Sequence, residues 1–440
     1  MQNIKVPRRI STAILNSLGA GVVPRVGLEY IAVGRKNEVS AILNDLENIK
    51  EGGGAFRFVV GRYGSGKSFL LQLTRNNALE RDFLVADADL SPERRLTGTK
   101  GQGLATYREL MQHLSTKTRP DGNALEVILQ KWISSVQTQV LKDGVSADDA
   151  RFIEEMEARM SNIIADMQSY LHGFDFAKVL TCYWRGIRLE SDDLKQNALC
   201  WLRGEFSTKS EAKGLGVSQI ITDDSWYDFL KLFARLAVKI GYKGMLLLID
   251  EVVNLYKITN RVSRENNYEK LLSMFNDVMQ GKAEYIGIIV GGTPQFVEDD
   301  RRGLYSYEAL RSRLQESRMV KPGMVDFSGP MIRLSTLTNE EIYLLLERIM
   351  EVFCAHNHVE PPLGHKQLVA FMESAASRLG AEQLLTPREV TRDFIPVLNL
   401  LLQNPELTYE KLAAAGNAQI HATDTDPDAL EDDRFALFDV

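Results

Sequence analysis

The chain has 440 residues, more than one compact core usually accommodates, so two or three structural units are expected. Its hydrophobic content of 44% and charged content of 25% are ordinary for a globular protein, and no apolar run reaches membrane-spanning length. The net charge of −7 belongs mainly to residues 423–440, which hold seven acids and one arginine. The remainder is nearly neutral, so its composition indicates no basic nucleic-acid surface and leaves a local basic patch as the alternative.

The N-terminal segment, residues 1–34, begins with MQNIKVPRRI, which lacks the apolar core of a signal peptide. Three scattered cysteines without metal-type spacing are typical of a reducing compartment. A cytoplasmic protein is therefore expected. A helix is predicted next, because its apolar residues share one face: Val39, Ile42, Leu43, Leu46 and Ile49.

The stretch GRYGSGKS, residues 61–68, matches the Walker-type pattern G-x-x-x-x-G-K-[ST]. In such a loop, backbone N–H groups point at phosphate oxygens, Lys67 reaches the terminal phosphates and the Ser68 hydroxyl ligates Mg²⁺. The buried-strand pattern of residues 55–60 predicts a strand before the loop, and residues 68–78 predict a helix whose N-terminus faces the phosphates. This context favours an ATP site over a chance match. The expected binding residues are Gly61, Arg62, Tyr63, Gly64, Ser65, Gly66, Lys67, Ser68 and Phe69.

A strand is predicted over residues 83–90, and beyond it the pattern becomes helical. Residues of about 100–235 are interpreted as a helical insertion within the nucleotide-binding domain. Two apolar stripes recur there at helical spacing and predict buried helix faces rather than a cofactor site. The first stripe contains Leu125, Ile128, Leu129, Trp132, Ile133, Val136 and Val140, and the second contains Ile153, Met156, Met160, Ile163, Ile164, Met167 and Leu171.

The apolar run 245–249 predicts a parallel strand buried on both faces, and it ends in Asp250 and Glu251. Beside a Walker loop, Asp250 is expected to hold Mg²⁺ through water, and Glu251 to act as the base that polarises the attacking water. An ordinary core strand followed by two acids is the alternative interpretation.

A fourth strand is predicted within residues 284–296, and it ends at Thr293. The Thr293 hydroxyl is placed to contact water or the terminal phosphate, although Thr-Pro is also a common turn. Farther on, Arg311 and Arg313 lie where an oligomeric ATPase supplies an arginine to a neighbour's site. A solvated helix face explains either arginine equally well. An arginine supplied to a neighbour's site requires a homo-oligomer, and a homo-oligomer is the expected assembly.

Residues 331–415 are predicted to form a helical lid that follows an edge strand within residues 330–337. Capping boxes at residues 338–341 and 386–389 mark helix starts, the second with Pro387 at its first position. Arg388 then lies in a first turn, where the helix dipole disfavours a cation. Bound phosphates, or a salt bridge to Glu389 or another acid, would explain it.

Residues 416–440 are predicted to form an acidic flexible tail. It also contains Phe435, Leu437 and Phe438, which a purely solvating tail would not need. Such a segment either docks in a groove with a basic rim or packs back on its own domain.

These segments together resemble the ATP-binding proteins of BREX phage-exclusion systems, the BrxC/BrxD ATP-binding domain family, and especially its shorter BrxD-like members. The segments most specific to this family are GVVPRVGL, WLRGE and YSYEALRSRL, whereas the Walker elements are shared by many ATPases. The resemblance implies an AAA+ P-loop ATPase with a parallel sheet core and a helical lid. It also implies that the segment VGRKNE lines the adenine pocket, with Val33 and Gly34 near the base and Arg35 nearby. Phage defence with a DNA helicase as companion is the implied role.

The overall expectation is an α/β protein of the AAA+ P-loop type, with a sheet core, a large helical insertion and a C-terminal helical lid. Its predicted domains are residues 1–34, 35–330, 331–415 and 416–440. A Mg²⁺-dependent ATPase that assembles with partner proteins is the favoured function. A nucleotide-gated scaffold with little turnover and a motor acting directly on DNA are the alternatives, the motor being disfavoured by the near-neutral charge.

Overall fold

A parallel sheet of five strands organises the part of the chain that this computed structural model describes, residues 5–315, 326–378 and 386–414. The strands are β1 (Gly54–Val60), β2 (Leu84–Asp89), β3 (Met245–Asp250), β4 (Ile286–Gly292) and β5 (Met331–Arg333). Their spatial order is β2-β3-β4-β1-β5, and every neighbouring pair is parallel. All five predicted strands, including the edge strand, are confirmed, and the fold is an α/β fold compatible with P-loop NTPases.

Helices form most of the remaining regular structure in the described ranges. In chain order they are α1 (Arg8–Gly19), α2 (Leu28–Ile31), α3 (Lys36–Lys50), α4 (Lys67–Glu80), α5 (Gln102–Gln112), α6 (Leu125–Lys142), α7 (Phe152–Gln168), α8 (Gly173–Arg188), α9 (Asp192–Leu202), α10 (Lys209–Ala212), α11 (Trp226–Lys239), α12 (Val253–Tyr256), α13 (Arg261–Met279), α14 (Pro294–Glu298), α15 (Glu308–Leu314), α16 (Asn339–Asn357), α17 (His365–Arg378), α18 (Pro387–Gln403) and α19 (Tyr409–Ala414). Short 3₁₀ helices at Lys213–Leu215 and Leu304–Ser306 complete the set.

The sheet buries side chains on both of its faces, which explains why β3 and β4 are apolar almost throughout. On one face, Phe56 and Phe58 of β1 join a large core with the helices between β2 and β4. On the other, Val59 and Leu248 pack with α3 and α4. The alternation of side chains along each strand divides the apolar residues between these two cores. The predicted apolar face of α3 is confirmed, since it is packed into the second core.

The chain divides into two compact units. The first, called the loop unit, is drawn from Met1–Lys36, Tyr63–Phe69 and Ser335–Val440. The second, called the sheet unit, contains Asn37–Arg62 and Leu70–Leu334. The domain boundaries expected at residues 34, 330 and 415 stay predictions, and the tail of residues 416–440 lies outside the described residues.

The segment between β2 and β3 is largely helical, and its first predicted stripe is confirmed, because all seven of its residues are buried on α6. The second stripe is only partly right. Met156, Met160 and Met167 are buried on α7, but Ile153 is 46% exposed and Leu171 is 67% exposed. Leu171 is exposed because α7 ends at Gln168, so the periodic pattern continues beyond the helix that would have buried it.

The helices that follow β5 begin where the capping boxes predict. Thr338 accepts a hydrogen bond from the Glu341 N–H at the start of α16, and the Glu341 carboxylate accepts one from the Thr338 N–H. Thr386 and Glu389 make the same reciprocal pair at the start of α18. One apolar face of α16 is buried, and both helices pack against α1 within the loop unit.

Candidate functional site

The segment from Gly61 to Ser68 joins β1 directly to α4, as the motif predicts. Gly64 and Gly66 have φ angles of 74° and 94°, which residues with a Cβ rarely adopt. A Cβ at Gly66 would meet no atom within 4 Å, so this side of the loop is open. Because α4 begins at the next residue, Lys67, the positive end of a fourteen-residue helix lies at the loop. These features are those of an anion-binding loop.

Ser65 is a buried polar residue of the loop. Its side chain is 3% exposed, and its hydroxyl makes no hydrogen bond within the described part of the chain. Its carbonyl accepts a hydrogen bond of 3.0 Å from the Arg35 guanidinium. A buried hydroxyl without a partner is costly, so it is a feature that a ligand would satisfy.

Arg35 ties the loop to a distant part of the loop unit. The guanidinium nitrogen that donates to Ser65 also donates to the Ser335 carbonyl at 2.6 Å. Arg35 is 9% exposed and has a φ of 60°, an uncommon backbone conformation for a residue with a side chain. The residue expected near the adenine base thus contacts the loop backbone itself.

Two helix starts also lie against this part of the loop unit. A Cβ at Gly64 would lie 2.8 Å from the Thr386 side chain, the cap of α18, so only glycine allows the observed approach. A Cβ at Gly34 would lie 2.8 Å from a carboxylate oxygen of Glu341 on α16. Val33 beside it is half-buried. Gly34 and the loop therefore each adjoin the N-terminus of a helix.

Arg388 is exposed in the first turn of α18, two residues after the cap that contacts Gly64. None of the ion pairs between described residues includes Arg388. The alternative salt bridge to Glu389 is not formed, and the Glu389 carboxylate instead accepts hydrogen bonds from Thr386. The Arg388 side chain passes close to Gly21, where a Cβ would lie 3.7 Å from the arginine Nε.

The other predicted loop side chains differ in exposure. Arg62 and Ser68 are exposed, whereas Tyr63, Lys67 and Phe69 are half-buried. The Lys67 Nζ lies 5.1 Å from the centre of the Tyr63 ring, within range of a cation–π interaction.

In the sheet unit, the carboxyl ends of the strands bring the other predicted residues to one edge. Gly61 follows β1, and its N–H donates to the carbonyl of Gly292 at the end of β4. Thr293 comes next, is 4% exposed, and caps α14 by accepting a hydrogen bond from the Phe296 N–H. The Thr-Pro sequence therefore does form a helix start, and whether the Thr293 hydroxyl also serves a nucleotide stays a prediction.

Asp250 and Glu251 follow β3 at the same edge. The Glu251 N–H donates to Asp250 Oδ1 at 2.9 Å, and Glu251 has a φ of 55°. A left-handed backbone at a residue other than glycine is strained, and such strain is often found at functional sites. The Asp250 carboxylate lies over Gly291 of β4, where a Cβ would come within 2.3 Å of its Oδ1.

Asp89 is a residue of this edge that the motifs did not indicate. It ends β2 in register with Asp250. Partial desolvation and the like charges of Asp250 and Asp87 raise the pKa of Asp89. The sequence signal that could have indicated Asp89 is the pair of acids near the end of the predicted strand 83–90.

Asp87, two residues before, is paired with two basic side chains. Its carboxylate lies 3.2 Å from Arg75 Nε and 3.2 Å from His113 Nδ1. The hydrogen bond to Asp87 raises the pKa of His113, more than burial lowers it. Arg75 is 3% exposed and also donates to Ser115 Oγ, so this cluster has a structural role beneath the strand ends.

Arg311 and Arg313 lie on α15 and make contacts within the chain. Arg311 is paired with Asp300 at 3.2 Å, and both side chains are at least one-third exposed. Arg313 donates to Asn276 Oδ1 at 3.0 Å. Exposed pairs of this kind contribute little stability, so either arginine is able to exchange its partner at small cost.

The residues present fit a Mg²⁺-nucleotide. The open side of Gly66, the helix start at Lys67 and the unpartnered Ser65 hydroxyl suit a phosphate chain. Ser68 and Asp250 carry the hard oxygen ligands that Mg²⁺ prefers.

Within the described ranges, no cluster of three or more His, Cys, Asp or Glu residues is placed to hold a metal. Nor does any described helix combine the length and apolar character needed to cross a bilayer.

Comparison with known proteins bears on identity. No individual curated protein matches the chain significantly. A family model does match, over residues 6–417, and its description is "BREX system ATP-binding protein BrxC/D". The match covers nearly all of the described residues, from α1 to α19. The chain therefore belongs to the BrxC/D family of BREX system ATP-binding proteins.

Proposed function

We propose that this protein binds and hydrolyses ATP as an AAA+-like member of a bacterial phage-defence system, and that its nucleotide state governs assembly with partner proteins. The supporting observation is the order of the sheet. β1, which leads into the loop, and β3, which leads into Asp250 and Glu251, are separated only by β4. Their carboxyl ends therefore share the edge at which ligands bind to parallel sheets.

The loop residues Gly61 to Ser68 would bind the phosphates through backbone N–H groups and the Lys67 ammonium. Ser68 and Asp250 would hold Mg²⁺, which neutralises phosphate charge when bound. Glu251 would orient the attacking water and accept its proton, and Thr293 would fix the position of that water. Arg35 would maintain the loop backbone through the Ser65 carbonyl.

Two arginine roles complete the proposal. Arg388, exposed and outside every ion pair of the described residues, would contact the phosphates from the start of α18. Arg311 or Arg313 would act in the site of a neighbouring subunit, where an arginine stabilises the charge of the transition state. The proposed working form is therefore a homo-oligomer.

The base is tested by Glu251→Gln, which keeps the size of the side chain but removes its proton acceptor. ATP hydrolysis is expected to fall by about 10²–10⁴-fold, the contribution typical of a general base, while ATP affinity stays within about twofold. Glu269→Gln, an exposed residue of α13, is the matched control and should behave as wild type. Undiminished hydrolysis by Glu251→Gln would exclude this residue as the base.

The arginine in trans is tested by mixing. Arg311→Ala and Arg313→Ala are measured alone, and each is then mixed with Glu251→Gln. If one arginine acts in a neighbour's site, mixing restores activity, because some interfaces then combine an intact base with an intact arginine. The rate per subunit should also rise with protein concentration. Activity that is independent of concentration and of mixing would show that each chain works alone.

The partner role rests on family membership, since the family is described as part of a system, the BREX system. A DNA helicase is the companion we favour, and direct DNA contact is not required by the proposal. Pull-down of the purified companion with ATP, with ADP and without nucleotide tests the coupling. Equal capture in all three conditions would contradict it.

A further inference from the structure

A cavity of about 760 Å³ lies in the helical segment of the sheet unit. It is formed by the turn between α7 and α8, by α10 with the 3₁₀ helix after it, and by residues 216–219, and is called here the α7–α8 cavity. Its volume is within the range of about 300–1,000 Å³ that is usual for pockets that enclose small-molecule ligands. None of its described lining residues belongs to a strand or to the loop of residues 61–68, so this cavity and the candidate ATP site share no residue.

The wall of the α7–α8 cavity contains a buried carboxylate. Asp175 lines the cavity and is 7% exposed. Its carboxylate makes no hydrogen bond or ion pair with any other described residue. It stands in the first turn of α8, where the helix dipole favours a negative charge. A buried acceptor without a partner is costly, so Asp175 suits a ligand group that donates hydrogen bonds.

Positive charge exceeds negative charge at the cavity. Lys209 and Lys213 line it, and a Cβ at Gly216, a further lining residue, would lie 2.9 Å from the Lys178 Nζ. The three lysines are exposed, and none of them forms an ion pair with another described residue. Among the described lining residues, Asp175 carries the only carboxylate. The cavity therefore favours a ligand that combines an anionic group with a neutral hydrogen-bond donor.

The lining residues also expose apolar and aromatic side chains. Phe174 is 61% exposed, Leu171 is 67% exposed and Tyr170 is 40% exposed. The Arg235 guanidinium lies 3.8 Å from the centre of the Tyr170 ring and holds that ring in place. Exposed rings beside a cavity offer a stacking surface, so the third property expected of the ligand is a planar ring.

The walls of the cavity are held in place by contacts within the sheet unit. His172 has a φ of 61°, and its ring stacks on Phe229 with 5.2 Å between the ring centres. The His172 Nδ1 lies 3.1 Å from Gln219 Oε1, and the Gln219 carbonyl accepts a hydrogen bond of 2.8 Å from Trp201 Nε1. A cavity with fixed walls is preformed, which lowers the entropic cost of binding.

We propose that the α7–α8 cavity binds a guanine nucleotide. The N1–H and 2-amino groups of guanine lie side by side and match the two oxygens of a carboxylate, so Asp175 would accept both hydrogen bonds. Phe174 would stack on the base, and the three lysines would bind the phosphate. Adenine presents one donor group beside an acceptor on the corresponding edge, so an adenine nucleotide is not the ligand expected here.

The proposal does not depend on ATP hydrolysis, and its test uses the full chain, with a non-hydrolysable ATP analogue and Mg²⁺ in excess to fill the loop site. The probe is guanosine monophosphate (GMP) with a fluorophore on its ribose, followed by anisotropy. Unlabelled GMP, adenosine monophosphate (AMP) and xanthosine monophosphate (XMP) are the competitors. GMP should displace the probe at a concentration at least about tenfold lower than AMP, because a paired base edge discriminates by about that factor.

Asp175→Asn should change which base is preferred. The amide donates where the carboxylate accepted, so GMP should bind about 10- to 100-fold more weakly. XMP, whose base has a carbonyl in place of the 2-amino group, should become the preferred competitor. Asp193→Asn, at an exposed aspartate in the first turn of α9, is the matched control and should keep the preference for GMP. A gain of XMP binding cannot result from misfolding.

Two further substitutions test the other contacts. Phe174→Ala and Lys213→Ala should each weaken GMP binding by about tenfold, through lost stacking and a lost charged hydrogen bond. Lys282→Ala, at an exposed lysine that does not line the cavity, should leave GMP binding unchanged.

Several results would overturn the inference. Absence of saturable probe binding, or equal displacement by GMP and AMP, would show that the cavity does not recognise guanine. Unchanged GMP affinity and preference in Asp175→Asn would place the bound nucleotide elsewhere in the chain. Tighter binding of a single-stranded oligonucleotide with one guanine than of GMP would assign the cavity to a nucleic-acid strand instead of a free nucleotide.

Discussion

Gly291 allows a sharp test of the carboxylate arrangement. In Gly291→Ala the new Cβ would lie 2.3 Å from Asp250 Oδ1 and 3.0 Å from its Cγ, closer than such atoms approach in proteins. Every residue of β4 is buried, so its backbone has little freedom to withdraw. The Asp250 carboxylate must therefore move. Such overpacking costs about 1–3 kcal/mol of stability.

The functional consequence should exceed the loss of stability. Disturbing the groups around a metal typically lowers affinity or activity by about 10–100-fold, so the Mg²⁺ concentration for half-maximal ATP hydrolysis should rise by that factor. Binding of a fluorescent ATP analogue without Mg²⁺ should change by less than about twofold, because the loop backbone is untouched. Initial rates over a Mg²⁺ series measure the first quantity, and fluorescence titration measures the second.

Gly287→Ala provides the matched control. Gly287 is on the same face of β4, and its new Cβ would lie 2.6 Å from Ile49 Cδ1 and 2.9 Å from Leu246 Cδ1, the ends of apolar side chains. This variant should lose stability but keep the wild-type Mg²⁺ dependence. If Gly291→Ala also keeps the wild-type Mg²⁺ dependence while it is folded, the inference that Asp250 serves the metal is refuted.

Three other predictions concern charged side chains. Arg35→Lys keeps the positive charge but loses the planar guanidinium group that contacts two carbonyls. Calorimetry should therefore show that ATP affinity is lower by about tenfold or more. Arg81→Lys, a change at an exposed arginine, is the control and should match wild type. The pKa of Asp89 is raised in the folded protein, so ionisation of Asp89 destabilises the fold as pH rises through that pKa. Asp89→Asn should therefore raise Tm at pH 8, and this gain in Tm should vanish near pH 4. The pKa of His113 is also raised, so its stabilisation is complete below about pH 6.5 and is lost as pH rises; a Tm deficit of His113→Gln at pH 6 that persists unchanged at pH 9 would contradict this sign.

The sequence predicted those features that depend on neighbouring residues. Apolar runs marked the strands, and capping boxes marked the starts of α16 and α18, because both signals lie within a few positions. The α7 stripe failed at Leu171 because periodicity does not say where a helix ends. Arg35 was expected near an adenine base only by resemblance, and its contact with the Ser335 carbonyl joins residues 300 positions apart.

The strand order was likewise not contained in the motifs. Asp89 and Asp250 are neighbours because β2 pairs with β3, although more than 150 residues of mostly helical chain separate them. Without that pairing, Asp89 is one more acid at the end of a strand. The sequence did indicate Asp250, because the apolar strand and the two acids that directly follow it form a recognisable Walker-type pattern. The acids that modify its surroundings were visible only in the folded sheet.

The position of β1 inside the sheet, between β4 and β5, has a consequence for synthesis of the protein. Among the described strands, β1 pairs with β4 and β5 alone, and Ile286, the partner of Gly54, leaves the ribosome about 230 residues later. At translation rates of about 5–20 residues per second, β1 waits on the order of 10 to 50 s with both edges unpaired. An apolar strand in that state is a template for intermolecular pairing. The nascent chain is therefore expected to need protection by chaperones until β4 emerges, and slowing translation between β1 and β4 should increase aggregation.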